Sequence, residues 1–144
     1  MKKLLSIIVL GLLLSGNSYA ESIKLNCTFR EAYAEMVSGG FEKVTPEFEE
    51  YRFWSEDTVV TINEKLKTFE GSKAVIFNDE IIKNVFFDEV KGPKATEKSI
   101  KIWTINRITG IFRKEIYAKI VGRDLEFRPL LDITYDCKKA VKKF

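Results

Sequence analysis

Histidine is absent from the 144-residue chain. Without an imidazole, the Ser-His-Asp and Cys-His nucleophile systems, the H-E-x-x-H zinc proteases and most zinc or copper sites are excluded. Cysteine occurs only twice, at Cys27 and Cys137, so there is no C-x-x-C redox pair. No D-x-D-x-D-G calcium loop is present. No internal repeat or low-complexity stretch interrupts the chain, and after the first residues there is no further apolar run of about 20 that would serve as a transmembrane helix. These gaps predict a non-enzymatic protein with no catalytic residue, no cofactor and no metal.

What is present begins with an address. Met1-Lys2-Lys3 is basic, residues 4–14 are apolar apart from Ser6 and Gly11, and Ser18-Tyr19-Ala20 puts small residues at the −3 and −1 places of a cleavage site. That is the three-part pattern of a secretory signal peptide, with a centre too short to span a bilayer as a helix, which takes about 20 residues. The alternative is an uncleaved anchoring helix. Leu14-Ser15-Gly16 resembles the start of a lipobox, but Asn17 stands where the lipidated cysteine would be, so cleavage between Ala20 and Glu21 without a lipid anchor is expected. The mature chain, 21–144, is then a single periplasmic or secreted domain. Two of the 24 Lys and Arg are Lys2 and Lys3, and residues 1–20 hold no acid. Cleavage thus lowers the net charge from +3 to +1, which removes the electrostatic argument for a nucleic-acid partner.

Both cysteines sit in alternating surroundings. Ile23, Leu25, Cys27 and Phe29 alternate with polar residues, as do Leu131, Ile133, Tyr135 and Cys137. Period two predicts two half-buried strands with each cysteine on the apolar face. In an oxidising compartment this leads us to expect a Cys27–Cys137 disulfide; two buried unpaired thiols are the other way to house them.

Between these ends, Ala32, Tyr33, Met36 and Val37 fall on one face of a helix over residues 30–37, ended by Gly39-Gly40. Strands are expected over 48–54, 58–62, 74–77, 81–90, 99–107 and 111–121, with turns at Asn78-Asp79-Glu80, Lys91-Gly92-Pro93-Lys94, Thr109-Gly110 and Gly122-Arg123-Asp124. Pro129 lacks a ladder donor and argues for an edge or a bulge. Ile100, Ile102, Trp103 and Ile105 do not share a parity, so either a bulge lies near Trp103 or both faces are partly covered. Residues 138–144 form a basic tail expected to fray. The fold class is mainly β: a single antiparallel meander closed or nearly closed as a small barrel, or folded as a sandwich, with one short helix after the first strand.

The cleaved leader, the leucine-x-cysteine strand, the hairpin Ile105-Asn106-Arg107-Ile108-Thr109-Gly110 and the cysteine before a lysine-rich end together resemble a loose set of small exported proteins of Gram-negative bacteria. That set has no assigned activity. The resemblance implies compartment and fold only.

Three clusters remain as candidate chemistry. Glu47, Glu49 and Glu50, then Asp79-Glu80, then Asp88-Glu89 group carboxylates, but neighbours along a strand point to opposite faces, so solvated charges are expected there; a histidine-free hydrolase is the enzymatic alternative. The stretch 98–119, with Lys101, Trp103, Arg107, Phe112, Arg113, Lys114 and Tyr117, reads as a solvated basic face. The aromatics Tyr51, Phe53, Trp54 and Trp103 are the candidate lining of a ligand cavity, since a barrel of about eight strands holds one small ligand. The G-x-W signature of lipocalins is missing. The expected function is therefore an exported β-domain that binds an envelope component or a small apolar ligand. The alternative is an inhibitor or accessory subunit acting through an exposed strand edge near Pro129.

Overall fold

The computed structural model describes residues 22–36, 38–44 and 55–139. They form ten antiparallel strands: β1 (Ser22–Glu35), β2 (Phe41–Val44), β3 (Thr58–Asn63), β4 (Thr68–Phe69), β5 (Ser72–Lys73), β6 (Ile76–Phe77), β7 (Ile81–Lys91), β8 (Thr96–Asn106), β9 (Ile111–Ile120) and β10 (Arg128–Lys139). Across the sheet the order is β5-β4-β3-β1-β10-β9-β8-β7-β6, with β2 added to β1. β6 to β10 follow chain order, but β1 lies between β3 and β10. The architecture is a curled half-barrel whose first and last long strands are neighbours. Among the described residues no helix is long and apolar enough to cross a membrane.

Cys27 and Cys137 are direct partners in the β1–β10 ladder and form a disulfide. It closes a ring of 110 positions, which on the chain-entropy model stabilises the fold by about 4–5 kcal/mol. β10 runs through Lys138 and Lys139, which pair with Asn26 and Leu25; residues 140–144 of the expected tail lie outside the described residues.

The helix expected over 30–37 is not formed. β1 continues to Glu35, and the register shifts between Phe29 and Glu31. That bulge at Arg30 moves the inward parity from Phe29 to Ala32 and Ala34, which are 3% and 2% exposed, while Tyr33 turns outward to stack on Phe41 at 6.2 Å. The shifted period of two mimics a helical period in the sequence. Gly39, at φ +88, then serves the β1–β2 hairpin, in which Met36 N–H donates to the Gly40 carbonyl at 2.7 Å.

Pro129 stands beside a second bulge, between Pro129 and Leu131. It is not on an edge strand, because β10 has β1 on one side and β9 on the other. The β1 ladder ends at Leu131, so Pro129 lies past its last partner there. β8 pairs with β7 and β9 without a register shift. The mixed parity near Trp103 therefore reflects two partly covered faces, with Ile100 and Ile102 half-buried on the outer one.

The packed layer is aromatic at its centre. Phe69 meets Phe112 edge-on at 5.7 Å, Phe112 stacks on Tyr135 at 5.6 Å, and Phe29 meets Tyr135 edge-on at 6.3 Å. Ile82, Ile105 and Val60 fill the spaces between them and are at most 1% exposed. The two flanks of the sheet meet at this level. Asn84 Nδ2 on β7 donates to the Phe69 carbonyl on β4 at 2.8 Å. Arg107, from the β8–β9 turn, donates to the Asn78 carbonyl at 2.9 Å and is ion-paired with Glu64 beyond β3. Thus the arginine of the hairpin motif is a clamp between flanks.

Candidate ligand-binding face

Register places the inner-face residues in rows. One row is Ile82, Ile105, Phe112, Tyr135 and Phe29, all within the packed layer. The next is Asn84, Trp103, Lys114, Ile133, Ala32 and Val44. Beyond it come Phe86, Lys101, Ile116, Leu131 and Ala34. The second row is where apolar filling stops being complete. Trp103 is half-buried there and meets Phe86 at 5.0 Å. Phe86, Trp103, Lys101 and Asp88, with Phe87 at the margin, line an open hollow of about 260 Å³.

Lys114 is the unexpected member of the row. On β9 it takes the inward position between Phe112 and Ile116, in a strand whose other inward residues are apolar. Its Nζ lies 5.2 Å from the Trp103 ring, 5.4 Å from Phe112 and 5.5 Å from Tyr135. Such cation–π contacts compensate part of the lost hydration. Burial lowers its pKa below the usual lysine value, with the Glu70 carboxylate opposing this from the other flank. It makes no salt bridge with any described residue. Across Trp103, Asn84 is 1% exposed, and its Oδ1 has no hydrogen-bond partner although its Nδ2 is satisfied. A buried acceptor left unpaired costs about 1–3 kcal/mol.

The aromatics Tyr51, Phe53 and Trp54 lie outside the described residues, so of the expected lining only Trp103 can be placed, and it is on this face. The basic stretch 98–119 is not one solvated face. Lys101, Trp103, Phe112 and Lys114 turn inward, whereas Arg113 and Tyr117 turn outward. Arg113 forms a two-point pair with Asp132, which raises its pKa, and Tyr117 donates to Glu115 at 2.8 Å. Sequence reasoning misses Lys114 and Asn84; the signal that could have found them is a polar residue at the buried parity of an otherwise apolar series (Phe112, Ile116, Ala118; Ile82, Phe86).

A second hollow, of about 360 Å³, opens at the hairpin end over Ile23, Leu25, Ile62 and Ile105. It is larger; of its polar lining, Arg107 is paired with Glu64 and Asn106 Oδ1 accepts the N–H groups of Ile108 and Thr109, while Lys139 makes no salt bridge with a described residue. Asp88 and Glu89 are exposed and paired with lysines: Asp88 with Lys101 at 3.9 Å, Glu89 with Lys98 at 3.4 Å. Asp79-Glu80 is an exposed turn, and Glu47, Glu49 and Glu50 lie outside the described residues. Compared with family models, curated proteins and solved structures, the chain matches none.

Proposed function

We propose that this chain is an exported, non-enzymatic β-domain of a Gram-negative envelope. On this reading it is cleaved after Ala20, nearly closed as a small barrel, and holds a small ligand with an apolar body against Trp103 and Phe86. One observation carries the reading: at the β7–β8 end of the inner face Phe86 and Trp103 border an open hollow, whereas Asn84, Ile133, Ala32 and Val44, the rest of Trp103's row apart from Lys114, are buried. A domain that needed only stability would fill that hollow. Native mass spectrometry without reductant, on protein recovered from the periplasm, tests it. A mass beginning at Glu21, two hydrogens light and carrying a small-molecule adduct, is the expected result. A full-length chain refutes the export reading, and a bare mature chain that also fails to bind the neutral dye N-phenyl-1-naphthylamine refutes the ligand reading.

A second reading keeps the accessory-subunit alternative but moves it. Beyond Lys83, β7 has β8 on one side and no described strand on the other. Phe87 is 78% exposed on that stretch, and an open edge is where a partner's strand can be added. Asp88 accepts the Glu89 N–H at 2.9 Å, which blunts the edge. Replacing Phe87 by lysine should abolish any complex pulled from envelope extracts through this edge; an unchanged complex would refute it.

A further inference from the structure

We infer that the ligand of the inner face is an anionic amphiphile, its acidic group received by Lys114 and its apolar body laid along Trp103 and Phe86. The inference rests on the ligand reading above and adds the charge. Lys114 carries its ammonium into a row made of Trp103, Ile133, Ala32 and Val44, and three rings surround the Nζ, while Glu70 acts on it only through its field and no described carboxylate forms a salt bridge with it. Rings answer a cation's charge only in part, and a desolvated ammonium wants an anion with hydrogen-bond acceptors.

The second, independent observation is Asn84. Its Oδ1 is buried, unpaired and two strands away in the same row. It lacks a donor, which a ligand's hydroxyl or N–H group beside its acid supplies once the side chains packed over Asn84 give way. In register the two side chains flank Trp103 with one positive donor and one neutral acceptor, while the hollow itself is bordered by Trp103, Phe86, Phe87, Lys101 and Asp88, whose carboxylate is paired with Lys101. That pattern suits a carboxylate, sulfate or phosphate attached to a flat or branched apolar body, and gives a simple hydrocarbon no advantage.

Two dyes separate the terms. N-Phenyl-1-naphthylamine is neutral, and 1-anilinonaphthalene-8-sulfonate has nearly the same rings and N–H with a sulfonate added. The oxidised mature protein should bind the sulfonate dye at least tenfold more tightly than the neutral one. Lys114→Met should erase that preference and leave neutral-dye binding unchanged or slightly stronger, and Lys114→Arg should restore most of it. Lys119→Met, which removes an outer-face lysine lying over Phe127 at 4.8 Å, should leave both dyes unaffected. If neither dye binds, the ligand reading itself fails. If the neutral dye binds and the sulfonate shows no preference, or if Lys114→Met and Lys119→Met reduce sulfonate binding equally, the assignment to Lys114 is overturned while the cavity stands.

Discussion

Gly110 offers a test of the clasp between the β8–β9 turn and the last strand. Its φ is +74, and a Cβ built on it would lie 2.6 Å from the Cys137 carbonyl oxygen. Gly110→Ala therefore carries two costs. The left-handed backbone of a residue with a Cβ costs about 1 kcal/mol. The contact with a backbone oxygen cannot be relieved by a rotamer, so the turn and β10 must separate. That separation strains the 2.8 Å bond from Cys137 N–H to the Gly110 carbonyl, and overpacking of this kind costs about 1–3 kcal/mol. The expected total is about 2–4 kcal/mol. Gly122 provides the control, since it has φ +84 and nothing within 4 Å of an added Cβ, so Gly122→Ala should cost only the backbone part, about 1 kcal/mol. Urea unfolding of the oxidised proteins, followed by far-ultraviolet circular dichroism, reads both, provided the slopes agree. Equal losses for the two variants would refute the steric argument.

Three further outcomes follow from the same geometry. Replacing both Cys27 and Cys137 by alanine should lower unfolding free energy by about 4–5 kcal/mol, measured in the same urea series; a loss under about 1 kcal/mol would mean that the clasp is not what holds β1 to β10. Phe69→Ala should cost about 3–5 kcal/mol, because Phe69 is fully buried against Phe112; thermal or urea unfolding checks it. Lys114→Met should stabilise the ligand-free protein near neutral pH by about 1 kcal/mol, allowing for partial solvation of the ammonium. Since burial lowers the folded-state pKa of Lys114, the parent sheds that proton before the unfolded chain does. Its stability from this group then rises with pH from the lowered value up to about 10.5, so the advantage of Lys114→Met should narrow over that window. Glu70 and the rings of Trp103, Phe112 and Tyr135 are the groups facing it, and an advantage that widens with pH would contradict the assignment.

The ends of the fold were the most legible parts of the chain. Residues 23–29 and 131–137 each run seven positions without a bulge, so period two survives intact and puts both cysteines on one face. Residues 30–37 mislead because a single extra residue at Arg30 reverses parity, and two small alanines then carry a burial that hydrophobicity scarcely registers. Pro129 announced its bulge but not its neighbours, since a missing donor says nothing about which strand has already ended beside it. Trp103 is expected among ligand-lining aromatics, and it borders the open hollow beside Phe86. The inward turn of Lys114 is easily missed, because lysine in a basic stretch is ordinarily solvated, and the pairing of β9 with β8 and β10 fixes which way it turns.

The disulfide joins residues 110 positions apart, so every turn from the β1–β2 hairpin to the β9–β10 connection lies inside one covalent loop. A protease that cuts an exposed turn, at Lys94 or Arg123 for example, would open that loop without releasing either piece. The nicked protein would keep its mass plus one water until a reductant reached the β1–β10 seam, and only then would it come apart as two fragments.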